Sequence, residues 1–475
     1  MRAKLAYLFF SIVLVIAGCS KNDEGIFFEI PNEVQTQDFI WRGFNTWYFW
    51  KDQQPILNNS KLDNSEDYID FLKEYNNPVS LFENILHPED RFSFYSQDYR
   101  ALTNFLQGIR TDDGMVYRLY RLGFDNRIIV AVKYVIPNSS ASTLGIKRGD
   151  LFGIVDGVVL DESNYQDLLS SSKTSLRLTK IRFENQEWTD EQESITLVKT
   201  EGLVENPVFK DSIYTIDNQK IGYLIYNAFI SNYEEELNQV FTNFKNNQVN
   251  SLILDLRYNS GGSTANAAIL ASMIYSSNTE LLFARQRWNA LWQGRFSNEA
   301  LNENFRDQTL GGSSINSLGL NKIIIITESG TASASELLIN GLAPYMDVVL
   351  VGDKTRGKNE FSLTLVDDPQ SPDFPYLYRE SRQSFINPNV QWGLQPIVGR
   401  FENSAGFSDF TAGFEPDVFY SEDPVNLGLL GQIDEPLLSL AISQLTGNSP
   451  SMKFSVNNFE KVDDNIKGFL NLELR

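Results

Sequence analysis

Apolar residues along this chain follow three successive rhythms. From Gln37 to about Tyr99 they recur at helical spacing and are rich in aromatics, with Phe39-Ile40-Trp41 and Trp47-Tyr48-Phe49-Trp50 placed to bury one face. Ser65-Glu66-Asp67 offers a cap and an acidic first turn for a further helix. The stretch 37–105 therefore predicts a small helical cap domain. From about Leu106 to Lys199 the spacing shortens to alternating runs, Val116 to Leu122, Ile128 to Val135 and Asp150 to Val155, which predict strands over 106–200. Beyond Lys220, near-continuous apolar runs alternate with amphipathic ones. Ile221 to Tyr226, Leu252 to Leu256 and Ile323 to Ile326 read as buried strands. Tyr233 to Phe244, Ala265 to Tyr275 and a run opening at Ser335 read as helices. This alternation predicts a mostly parallel sheet covered by helices across 205–447.

The 475 residues exceed one ordinary core, so several domains are expected. A net charge of −21 argues against nucleic acid or anionic membrane surfaces as partners, because phosphate binding needs clustered Lys and Arg. The one cysteine, Cys19, excludes an internal disulfide and a cysteine-based zinc site. The one histidine, His87, excludes a histidine-rich metal centre. No metal or cofactor is expected. Arg2 and Lys4 precede an apolar run, Leu5 to Ala17, which reads as a secretory signal over 1–18 and is too short to span a bilayer. Ile16-Ala17-Gly18-Cys19 resembles the lipobox of bacterial lipoproteins. That resemblance implies lipidation of Cys19 and an extracytoplasmic, outer-membrane-anchored protein on either membrane face, with 19–36 as its tether. Residues 448–475 read as a C-terminal tail.

Two strand-to-helix turns and one lysine carry the chemistry. Leu254 to Gly262 ends a buried strand in Ser260-Gly261-Gly262, a turn that exposes backbone N–H groups where an oxyanion would be favoured. Thr331-Ala332-Ser333-Ala334-Ser335-Glu336 places serines at a helix start, where the positive end of the dipole favours an attacking alkoxide. Ser333 and Ser335 compete for the role of nucleophile. Thr355-Arg356-Gly357-Lys358 supplies an amine that could serve as the base if burial lowers its pKa.

These segments, over residues 30–445, resemble the C-terminal processing (tail-specific) peptidases, secreted serine proteases with a Ser/Lys dyad and an inserted PDZ domain. The resemblance rests on Ile253 to Gly262, the Thr-Ala-Ser-Ala-Ser-Glu cluster and Gly352 to Lys358. It implies Ser333 as nucleophile and Lys358, 25 residues later, as base. It also implies an oxyanion held by backbone N–H groups of Gly261, Gly262 and Ala334. The implied fold is multidomain α/β: a helical N-terminal cap, a PDZ-like β-rich domain and an α/β sandwich (ClpP/crotonase-like) catalytic domain. Ser139 to Asp150 followed by Val155-Asp156-Gly157 resembles the PDZ domains of bacterial proteases, with Gly114, Met115 and Val116 as the loop that would hold a peptide's terminal carboxylate. Trp392 to Val398, Gly413 to Asp417 and Asp434 to Leu438 resemble a lipoprotein branch of the family. One position departs from the family pattern. A lysine-orienting glutamine is expected four residues after the base, and here Ser362 stands there, with Glu360 nearby.

The expected activity is endoproteolysis of unfolded or tail-exposed polypeptides through an acyl-enzyme. The alternatives are a catalytically inactive, peptide-binding lipoprotein of the same fold and a triad in which His87 is the base.

Overall fold

Four consecutive isoleucines, Ile323 to Ile326, lie in one strand with no exposure, and side-chain alternation sends them into two different cores. Ile323 and Ile325 pack with Leu252, Leu254, Ile269 and Leu338; Ile324 and Ile326 pack with Ile253, Leu437 and Leu438. A strand buried on both faces needs helices on both sides, and this decides the architecture. The computed structural model describes residues 28–122, 126–170, 172–184, 187–451 and 459–462. The signal segment, Cys19 and the start of the tether lie outside the described residues. None of the described helices is long and apolar enough to cross a membrane.

The N-terminal region holds helices α1 (Gln35–Trp47), α2 (Ser65–Lys73) and α3 (Pro78–Ile85). Asn64 caps α2 by accepting the N–H groups of Glu66 and Asp67, and Asn77 caps α3 ahead of Pro78. The cap is not a unit of its own. Trp47 stacks on Trp292 at 4.2 Å, and its core continues through Trp288, Leu365, Leu394 and Val398. Periodicity located the helices, but not the distant residues that complete their core.

The β-rich domain contains β1 (Met115–Leu122), β2 (Ile128–Val135), β3 (Leu151–Val155), the short helix α4 (Tyr165–Leu168), β4 (Ser175–Glu184) and β5 (Glu187–Val198). Its strands pair antiparallel in chain order.

The third region contains β6 (Val208–Ile216), β7 (Gln219–Tyr226), α5 (Glu234–Asn246), β8 (Ser251–Asp255), α6 (Thr264–Ile274) and β9 (Leu282–Trp288). It continues with β10 (Lys322–Thr327), α7 (Ala334–Leu342), β11 (Asp347–Gly352), β12 (Glu360–Ser362), β13 (Ile397–Asn403), β14 (Val418–Phe419) and α8 (Pro436–Thr446). The main sheet runs β6-β7-β8-β10-β11-β14, antiparallel at β6-β7 and parallel thereafter. Helices α5, α6 and α7 share the core on one face, and α8 covers the other. A second, antiparallel sheet of β9, β13 and β12 lies over α7. The approach is so close that a Cβ on Gly341 would meet the Phe283 ring at 2.2 Å. A last strand, β15 (Phe459–Lys461), returns to pair antiparallel with β1.

The two β-containing regions are joined by a buried charge cluster. Arg257, with no exposed side-chain surface, donates to Asp255 (2.8 Å), Glu435 (2.6 Å) and Glu422 (3.1 Å). Arg148, from the Arg-Gly-Asp turn of the β-rich domain, reaches across to Glu422 at 2.7 Å. Burial alone would raise the Glu422 pKa; the two guanidiniums outweigh it and hold the carboxyl well below the ordinary range. Glu435 also accepts the Leu438 N–H at the start of α8, which gives the Asp434 to Leu438 motif a physical role. Arg257→Ala leaves three buried carboxylates facing one another. It is expected to cost about 3–5 kcal/mol in urea unfolding followed by tryptophan fluorescence. A loss under about 1 kcal/mol would show that the cluster contributes little.

Candidate active site

Three strand-end turns meet at the carboxyl edge of the main sheet. Beyond β8, buried Asn259 holds the first of them: its Oδ1 accepts the Gly261 N–H at 2.8 Å and its Nδ2 donates to Tyr226 O at 2.7 Å. Gly261 and Gly262 have φ of +105° and +132°, which only glycine adopts without strain. A Cβ on Gly261 would lie 2.6 Å from Ser333 Cβ and 2.9 Å from Ala334 N, so this turn sits directly against the serine turn.

The serine turn follows β10. Thr331 Oγ1 accepts the Glu328 N–H and donates to Leu256 O, both at 2.9 Å. Ala332 N–H and Ser335 Oγ donate to Asn259 O at 3.2 and 3.1 Å. Ser335 is therefore buried with its hydroxyl engaged, whereas Ser333 lines an open cavity. Ser333 sits immediately before α7 with φ +58° and ψ −115°. For a residue with a Cβ, such a backbone costs about 1–3 kcal/mol and persists only where the surroundings enforce it. It leaves the residue at the positive end of the helix dipole.

The third turn, after β11, carries Lys358. It is fixed by Glu336, a buried carboxylate in the first turn of α7. Glu336 Oε1 accepts from Thr355 Oγ1 and Gly357 N at 2.6 Å each; Oε2 accepts from Lys358 N at 2.8 Å and Ser333 N at 3.0 Å. A single oxygen thus holds the backbones of both Ser333 and Lys358. The motif Gly413 to Asp417 supports the same turn: Phe414 N donates to Thr355 Oγ1 at 2.7 Å, and a Cβ on Gly413 would lie 2.1 Å from Thr355 O.

Ser333 and Lys358 line one small cavity with Thr264, Ala334, Leu337, Asn359, Glu360, Phe401 and Phe410. No hydrogen bond joins the Ser333 hydroxyl to the Lys358 amine, although both residues line this cavity. Loss of hydration lowers the amine's pKa below 10.5, against the opposing pull of Glu360, Asp90 and Glu336. The amine also lies 5.2 Å from the centre of the Phe92 ring. Arg91 donates to Gly357 O at 2.5 Å, so a loop of the cap region closes over the lysine turn.

Other candidates separate on geometry. Glu360 lines the cavity, and burial raises its pKa; Oε1 accepts from Arg400 at 3.3 Å while Oε2 has no partner among the described residues. Ser362 sits on β12 outside the cavity lining. His87 stacks on Trp50 at 5.4 Å and does not reach the cavity. Among the described residues, Ala334 N–H and Gly262 N–H are left without acceptors, whereas the Gly261 N–H is spent on Asn259. The expectation that Gly261 donates to an oxyanion is corrected accordingly: its place requires the absence of a Cβ, not a free donor. The Gly114–Val116 loop differs in the same way. Its Gly114 and Met115 amides are already bonded to Asp112 Oδ1 (2.7 Å) and Asp113 Oδ1 (2.9 Å), and Val116 is paired with Tyr134, so these groups do not form an empty carboxylate nest.

Sequence reading missed Glu336 as a positioning residue, although Ser333-Ala334-Ser335-Glu336 has the serine-to-glutamate spacing of a helix N-terminal box. No sequence signal pointed to Asp90, Arg91 or Phe92.

Residues 220–396 match Peptidase family S41 and residues 35–94 match the Peptidase S41 N-terminal domain. A carboxyl-terminal-processing protease of Picosynechococcus is 21% identical over 67% of this chain and 67% of its own length. The chloroplastic C-terminal processing peptidase of Tetradesmus obliquus is 24% identical over 61% of this chain and 56% of its own length. A crystal structure titled as an S41 protease from Bacteroides fragilis superposes with a TM-score of 0.65 at 25% identity, covering 86% of this chain and 97% of that one. The family match and these relatives, on a mixed α/β fold, define a serine-type peptidase. The chain thus carries Peptidase family S41 domains over both segments and is similar to the C-terminal processing peptidases.

Proposed function

We propose that this chain cleaves polypeptides with Ser333 as nucleophile and Lys358 as general base. The observation that carries this reading is the strained Ser333 backbone at the start of α7, in one cavity with a lysine amine whose pKa is lowered by loss of water. Lys358 accepts the Oγ proton as Ser333 attacks the scissile carbonyl. The developing oxyanion takes hydrogen bonds from Ala334 N–H and Gly262 N–H. Collapse expels the amine fragment, which receives the proton from Lys358 and leaves an ester on Ser333. The neutral lysine then takes a proton from water, whose oxygen attacks the ester carbonyl; the acyl–Oγ bond breaks, the acid fragment leaves and Ser333 Oγ recovers the proton from Lys358. Glu360, rather than Ser362, is the side chain that shares the cavity with the lysine, and it influences the amine by charge. The β-rich domain is read as PDZ-like, recruiting an extended segment by strand addition along β1. The lipobox-like Ile16 to Cys19 supports a lipid anchor at Cys19 and a place outside the cytoplasm.

Purified wild type and Ser333→Ala would be treated with a fluorophosphonate and, separately, with an unfolded protein, with fragments read by mass spectrometry. Labelling of Ser333 and new fragments from wild type alone are expected. Unlabelled wild type with no fragments, or fragments from the variant at the wild-type rate, would reject the assignment. The first of those outcomes would favour a binding protein of the same fold.

A further inference from the structure

The edge strand β1 already has a partner. In β15, Phe459, Glu460 and Lys461 lie opposite Leu122, Arg121 and Tyr120, antiparallel, and Val462 N–H continues the ladder to Leu119 O at 3.0 Å. Val462 packs against the apolar core of the β-rich domain. Phe459 packs on Tyr120, Phe183 and Trp188. A main-chain ladder with side chains seated in apolar sites is how an extended peptide is bound by strand addition. The tail is also fastened at its other side. Lys461 Nζ lies 2.5 Å from both Glu328 Oε1 and Asp353 Oδ2, carboxylates at the ends of β10 and β11. The other Glu328 oxygen pairs with Arg118 of β1 at 2.5 Å. Glu328 opens the turn that leads to Ser333.

We infer that residues 459–462 are an intramolecular ligand of the groove along the β1 edge, and that an incoming polypeptide must displace them to bind there. The groove is thus a competition site whose resident occupant is the chain's own tail. Its side-chain preference is an apolar residue at the Val462 position preceded by a cation that reaches Glu328 and Asp353. The groove does not depend on a free carboxylate, because Asp112 and Asp113 already occupy the amides at the start of β1. The competition for binding does not rest on the proposed peptidase activity.

Seven residues, 452–458, connect the tail to the rest of the described chain. A ligand tethered this closely has an effective concentration on the order of millimolar. If the tail binds its groove with a Kd of about 100 µM or tighter, a competitor is weakened about tenfold or more. The test uses a fluorescent synthetic peptide spanning residues 457–464, with anisotropy read on the full chain and on full-length Val462→Asp and Lys461→Glu variants. The first variant puts a charge into the apolar site; the second repels both carboxylates. Binding at least about tenfold tighter to either variant than to wild type is expected. Hydrogen exchange on wild type alone supplies a reading that no misfolded variant can confuse: the Val462 amide is expected to be protected, and saturating peptide should release it. Equal affinity for wild type and both variants, or a Val462 amide exchanging at the unprotected rate, would overturn the inference. If the peptide results hold and no variant hydrolyses anything, the peptidase reading fails and the tail inference stands.

Discussion

Lys358→Arg is expected to lower kcat/KM for an unfolded polypeptide by about 10³-fold, within the range that a general base contributes. Arginine keeps a long side chain and positive charge, so the substitution separates charge from basicity: a guanidinium with a pKa above about 12 cannot accept the serine proton. The wild-type pH profile carries the matching sign. Loss of hydration lowers the Lys358 pKa below 10.5, so the neutral, reactive amine becomes populated at lower pH than a solvated lysine would allow. Activity should rise with pH along a limb whose midpoint lies below 10.5. Glu360→Gln removes the largest opposing charge and should move that limb to still lower pH. Initial rates from pH 5 to 10 check all three enzymes. Retention of most activity by the arginine variant would remove Lys358 as the base.

Glu336→Gln is expected to reduce kcat about 100-fold and stability by about 3 kcal/mol, with a smaller change in KM. The wild-type carboxylate accepts from four donors, two on each oxygen. A glutamine amide offers one acceptor oxygen and turns an NH2 group towards two of those donors. The Ser333 and Lys358 backbones then lose their shared anchor. Burial raises the Glu336 pKa above 4.5, despite four hydrogen bonds that oppose the shift, so the group protonates before an exposed glutamate would. The acidic limb of the activity profile should therefore begin above pH 4.5 and be absent from the glutamine variant. Thermal unfolding with paired kcat and KM measurements checks the split. An unchanged kcat would mean that the carboxylate supports the fold without positioning the dyad.

The strand-to-helix alternation after Lys220 was legible because parallel strands buried on both faces leave continuous apolar runs, and Ile323 to Ile326 is such a run. The turns at Gly261-Gly262 and at Thr331 to Glu336 were legible because their conformations demand glycines and small residues. The extent of the cap was not, since Trp47 completes its packing against Trp292 and nothing local in either segment encodes that contact. Gly114 to Val116 shows the same limit from the other side. Its position before β1 is encoded locally, but whether its amides are free depended on where two neighbouring carboxylates turned.

Local pattern by itself determined the main elements and the turns that carry Ser333 and Lys358, because periodicity, glycine conformation and residue chemistry act over a few positions. Tertiary structure alone decided which donors stay free, which carboxylate ties the Ser333 and Lys358 backbones together, and that a strand late in the chain fills the β1 edge. Those outcomes depend on desolvation and on hydrogen-bond partners brought from distant segments, and both exist only once the chain has folded.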